Sequence, residues 1–165
     1  MTRRIPAMFF FSTISRQGKV LPMHLKLFIW AWLTLASTSL FGQTRKCDDS
    51  VLLTTSKKLG KLNQVQIVSF LSTFGKECAD NAEFSEWSNE LLFSLLDKQT
   101  ELTVMTIERA EERIDMDVIL YELSAPITDM VNITTLIPRV EKVAINPKLK
   151  KQITEQLKTA ERDSK

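Results

Sequence analysis

Two cysteines, Cys47 and Cys78, are the first residues in this chain that could do chemistry. They stand 31 positions apart, with no C-x-x-C motif. Three outcomes are open to such a pair: a disulfide, two buried thiols, or a nucleophile or metal ligand; for an even pair in an exported chain a Cys47–Cys78 disulfide is the expectation. The third needs a partner that the rest of the chain hardly supplies. Its single histidine is His24, inside the N-terminal leader described below. Beyond the leader, Ser-His-Asp and Cys-His arrangements and ordinary zinc or haem-histidine sites are therefore excluded.

Carboxylates form the second group. Glu83, Glu86 and Glu90 recur at three- and four-residue spacing, and Asp115 and Asp117 follow further on. Paired carboxylates can act as general acid and base or bind calcium. No D-x-D-x-D-G loop accompanies them, and a solvated helix face accounts for the same spacing. Glu83, Glu86 and Glu90, joined by Glu108, Glu111 and Glu112, make a candidate interaction face for a protein partner.

The remaining motifs are weaker. Lys148, Lys150, Lys151 and Lys158 give the last helix a basic side suited to an anionic surface, but Glu155 and Glu161 interrupt it. Phe84, Trp87 and Phe93 fit a packed core, or an apolar groove between helices. Asn132-Ile133-Thr134 is a glycosylation sequon that matters only on a eukaryotic secretory route. Beyond the leader the glycines are Gly60 and Gly75, too isolated for a phosphate-cradling loop. An enzyme would have to be assembled from carboxylates, lysines and Tyr121. No catalytic residue, cofactor or metal is expected.

The elements that position these groups read as helices throughout. Leu, Ile, Lys and Glu are plentiful, while Gly and Pro are scarce. A first helix begins at Asp48-Asp49-Ser50 and ends near Gly60. A second carries Val65, Val68, Phe70, Leu71 and Phe74 and is expected to stop at Gly75. Asp80 or Asn81 caps a third, with Phe84, Trp87 or Ser88, Leu91, Leu92 and Leu95 on one face. The fourth starts near Thr100, with Leu102, Met105, Ile107 and Ala110 inward. Asp115 caps a fifth, and Pro126 ends it. A sixth spans about 127 to 143, with Pro138 inside it and a division there expected. Asn146-Pro147 opens the last helix, whose stripe is Leu149, Ile153, Leu157 and Ala160. The expected fold is all-α: six to seven short antiparallel helices, as an irregular bundle or HEAT-like stacked hairpins.

The first 42 residues stand apart. They hold Arg3, Arg4, Arg16, Lys19 and Lys26 and no acid. The stretch 27–44 is uncharged and apolar, with small residues towards its end. Basic flank, apolar 27–36 and small exit residues form the layout of a secretory signal, with Met23 a candidate true start and Gly42-Gln43 the expected cut. An uncleaved anchor is the alternative; a span needs roughly 20 apolar residues. Either topology places 43–165, a single domain, outside the cytoplasm, in the periplasm or the extracellular space.

Removing the leader turns the net charge from +2 to −3, because all 20 acids remain with 17 of the 22 basic residues. A nucleic-acid partner is therefore not expected. Residues 77–129 concentrate 14 acids against three basic side chains. The expected function is an exported, non-catalytic protein–protein interaction or accessory module. The alternatives are a lipid- or apolar-ligand-binding domain and a membrane-anchored helical domain.

Overall fold

Short polar side chains decide where the helices of this chain begin. In the computed structural model, which describes residues 46–78, 80–127 and 129–163, Asp48 precedes α1 (Asp49–Lys57) and accepts from Ser50 N. Asn63 opens α2 (Gln64–Leu71) with a reciprocal capping box to Gln66. Asn81 caps α3 (Ala82–Lys98) through Phe84 N. Asp115 caps α5 (Met116–Ser124), and Asn132 caps α6 (Ile133–Glu141). Asn146 accepts from Lys148 N ahead of α7 (Pro147–Asp163), whose first residue is the expected proline. Each such bond satisfies one backbone N–H that the first turn leaves orphaned.

The exception is α4 (Thr100–Ala110), which has no side-chain cap. Its Ncap residue, Gln99, spends its amide elsewhere. Nε2 donates to Leu62 O at 2.9 Å, and Oε1 accepts from Leu62 N at 3.1 Å. That two-point clamp ties the loop before α2 to the α3–α4 junction.

Among the described residues there are seven α-helices and no strand. None of these helices is long and apolar enough to cross a membrane. The leader, with its signal or anchor reading, its candidate start at Met23 and His24, lies outside the described residues.

Several expected boundaries move. The second helix stops at Leu71 rather than at Gly75. Ser72 and Thr73 turn their hydroxyls back onto Val68 O and Phe70 O, which closes the helix early. Gly75 is thus no cap; a 3₁₀ turn, Lys76–Cys78, follows it. The sixth helix begins at Ile133, not near 127, because Asn132 caps it there. It is also one helix rather than two, with Pro138 inside it. Thr134, whose carbonyl loses its usual donor to that proline, is exposed along with Pro138, on the solvent side of the helix.

The buried face of α4 is broader than expected. Thr103, Val104, Thr106, Ile107 and Ala110 are buried, while Leu102 and Met105 are only partly so. The cause is its surroundings: α4 packs against α2, α3 and α6 together. Thr106 is accommodated because its hydroxyl donates to Leu102 O at 2.6 Å. Phe93 is fully buried, whereas Trp87 is only partly buried.

Three sequential pairs pack together: α1 with α2, α3 with α4, and α6 with α7. α7 also packs along α5, but α3 and α5 meet only briefly. Where they separate, the surface opens.

Candidate functional site

The opening between α3 and α5 is walled on its third side by the 3₁₀ turn and the cysteine pair. Cys47 and Cys78 form a disulfide with Cα atoms 5.6 Å apart, and no free thiol is left. The N-terminal strand of chain is also fixed by polar contacts. Cys47 N donates to Thr73 O at 3.0 Å, and Lys46 Nζ donates to Phe74 O. Cys47 itself has φ 56°, a left-handed conformation that non-glycine residues keep only when their surroundings impose it. Here the disulfide and the bond to Thr73 do so.

The resulting cleft measures about 460 Å³. Phe74, Cys78 and Phe84, each at most 5% exposed, line it together with Val118. Tyr121 also lines it and is 69% exposed, so its ring stands at the mouth. Lys76 and Asp117 lie at the same rim, 3.9 Å apart and well solvated. Such a pair adds little stability.

Glu122 is the titratable group set deepest in this wall. Burial pushes its carboxyl above the ordinary value of 4.5, and a hydrogen bond from Asn89 partly offsets the rise. Asn89 is fully buried, although it sits on α3 between Ser88 and Leu92 of the apolar face. Its Nδ2 donates to Glu122 Oε2 at 2.7 Å, Glu122 O at 3.1 Å and Ala125 O at 3.2 Å. Its Oδ1 accepts from Ile127 N at 3.0 Å. One amide thus satisfies the end of α5 and the first turn beyond it, groups that a helix C-terminus leaves without partners.

The acidic side chains singled out from sequence are distributed differently. Glu83, Glu86, Glu111 and Glu112 are exposed, and Glu90 is half-buried. Glu108 is committed to structure, its Oε1 accepting from Asn146 N at 2.6 Å ahead of α7. Glu112 borders a shallow, polar depression with Lys46, Asp115 and Asp117. Among the described residues no three His, Cys, Asp or Glu side chains are grouped to hold a metal ion. Of the α7 lysines, Lys150 Nζ donates to Glu141 O at 3.1 Å, and Lys158 lies 3.8 Å from Glu141 Oε1. Asn132 of the sequon uses its carbonyl oxygen to accept from Thr135 N at 3.2 Å.

Asn89, Glu122 and Val118 were not among the residues singled out from sequence. For Asn89 a signal existed: an amide interrupting the Ser88–Leu92 part of an apolar stripe must find buried partners. Glu122 carried none, since its burial depends on an α3 residue 33 positions away. No family model, no curated protein and no solved structure matches this chain.

Proposed function

We propose that this chain is an exported, non-catalytic helical accessory module that recognises a partner protein through the cleft between α3 and α5. The observation that carries the reading is the cleft itself. It joins a buried apolar lining of Phe74, Cys78 and Phe84 to an exposed aromatic, Tyr121, at its mouth. Interfaces are anchored by side chains that enter such pockets, and exposed tyrosine is favoured in them.

The non-catalytic part is supported by the wall's chemistry. Its one carboxyl with a raised pKa, Glu122, has an amide beside it rather than a nucleophile or a second displaced acid. The export part is supported by the leader's composition, and a disulfide suits an oxidising compartment. We read the fold as an irregular bundle of three helical hairpins, α1–α2, α3–α4 and α6–α7, with α5 laid against α7.

A second reading, an apolar small-molecule site, is favoured by size alone: about 460 Å³ falls within the range of small-ligand pockets. One experiment separates the two. The tagged protein and its Tyr121→Glu variant are recovered from the cell envelope or medium of the native host. The accessory reading expects one stoichiometric partner with the parent chain and none with the variant. A monomer carrying co-purified lipid would overturn it. N-terminal sequencing of the same material tests export; a mature start at Gln43 is expected.

A further inference from the structure

We infer that the occupant of this cleft is an apolar segment of a partner protein bearing a lysine or arginine, its cation seated against the Glu122 carboxylate; this rests on the cleft reading above. Three observations carry it.

Glu122 is the first. Its Oε2 accepts from Asn89, while its Oε1 accepts no hydrogen bond among the described residues. No lysine or arginine among them comes within ion-pair distance of it. Lys76, which lines the same cleft, is instead beside Asp117. The wall therefore keeps one half-buried, uncompensated acid with acceptor capacity to spare. Burial disfavours its ionised form, so an arriving cation relieves more than it would at a solvated carboxylate.

The surrounding charge is the second. Two cations stand at the cleft, Lys76 beside Asp117 and Lys46 on Phe74 O, but Glu77, Asp80, Glu83, Glu86, Asp115 and Asp117 flank it in sequence, and residues 77–129 hold 14 acids against three basic side chains. That field concentrates cations and repels anions. The exposed Tyr121 ring offers a further face to a positive group entering past it.

The third observation separates a protein segment from a free amphiphile. Apolar exposure does not end at the cleft. Ile127, 49% exposed, follows α5, and the Asn89 side chain that holds Glu122 also holds its backbone. A chain crossing the mouth can cover Tyr121 and Ile127 together with the cleft, which a molecule enclosed within it cannot.

Phage-displayed random dodecapeptides selected on the oxidised full-length protein test this. Enriched peptides are expected to combine aromatic or aliphatic residues with Lys or Arg. For the best of them, replacing the cation by norleucine should weaken binding about tenfold in fluorescence polarisation, as should Glu122→Gln. The Glu122→Gln protein should no longer distinguish the two peptides. Cation-free enriched peptides, or a cation preference that survives Glu122→Gln, would overturn the inference. Tyr121 is exposed, so Tyr121→Glu leaves the core intact and separates the two levels. If it abolishes peptide binding while the charge swaps do nothing, the cation falls and the cleft reading stands. Peptides that bind Tyr121→Glu unchanged sink both. Dimerisation abolished by Tyr121→Glu would assign the cleft to a second copy, and a lipid retained in native mass spectrometry would assign it to an apolar ligand; either overturns the inference.

Discussion

The α6–α7 pair and the α3–α5 pair are made of similar helices held by different forces. α6 and α7 close on each other through complementary stripes, Ile133, Leu136, Ile137 and Val140 with Ile153, Leu157 and Ala160, all buried. Their polar ties, such as Thr134 Oγ1 to Glu161 Oε1 at 2.5 Å, are exposed. α3 and α5 touch briefly and are related instead by the four bonds of Asn89, with the Cys47–Cys78 bridge alongside. Stripes that fit each other bury their apolar side chains, and the depression of about 270 Å³ left beside them is bordered by Glu141, Lys150, Lys151 and Lys158. The polar ties of Asn89 fix α3 and α5 at a distance, and so they can hold a cleft that apolar packing would close.

The comparison breaks most readily at Leu157, which is fully buried on α7. If apolar closure holds that side, Leu157→Ala should cost about 3 to 5 kcal/mol, from lost burial and the cavity left behind. Urea denaturation reads it as a lower midpoint at unchanged slope. A loss under about 1 kcal/mol would mean that the stripes are not the holding force.

The disulfide is next. Replacing Cys47 and Cys78 together by alanine frees a loop of 31 residues. That should cost about 3 to 4 kcal/mol on the chain-entropy account. Hydrogen exchange sharpens the contrast. Protection should fall around residues 73–78 and in α5 beyond the global loss, while α6 and α7 follow the global loss only. Uniform loosening would erase the distinction between the two regions.

Asn89→Ala should cost about 2 to 3 kcal/mol, because it leaves Ile127 N and the Glu122 and Ala125 carbonyls without their partner. Its effect should not add to that of Glu122→Gln, since the two side chains share a bond of 2.7 Å. Additive losses would show that Asn89 holds the backbone alone.

The same division decides what could be read from sequence. Four helix starts were legible because Asp48, Asn81, Asp115 and Asn146-Pro147 act through bonds two or three residues long; a fifth, at Thr100, came from its apolar spacing instead. The α7 stripe was legible for a similar reason: its period is local. The disulfide was the expected outcome of the three, since an even cysteine pair outside any metal motif and behind an export leader favours a bridge, and Cys47 and Cys78 form it. The early end of α2 and the late start of α6 were missed because hydroxyl and amide side chains, not the glycine or the proline, set them. Of the cleft, an apolar groove at Phe84 was legible as one alternative, but not its place between α3 and α5. Its wall depends on Asn89 reaching Glu122, a contact across 33 positions that leaves no periodic trace.

The smallest expected effect tests the electrostatics of the cleft wall. Glu122 is pushed above its ordinary value of 4.5 in the folded chain, chiefly by burial. Below 4.5 both folded and unfolded chains bind the proton, and the favourable contribution of the neutral side chain is fully present. As the pH rises past that point the unfolded chain releases its proton first, so the fold loses stability until Glu122 itself ionises in place. The penalty then persists to neutral pH. Parent minus Glu122→Gln stability, from urea curves at about pH 4 and pH 7.5, should therefore be more favourable at the lower pH; taking the difference cancels groups common to both proteins. The change should be modest, because Glu122 retains contact with water that screens its charge. A flat difference would mean that Asn89 offsets burial entirely. The wall would then hold an ordinary carboxylate, and the contrast with the dry α6–α7 seam would rest on the disulfide and the amide bonds alone.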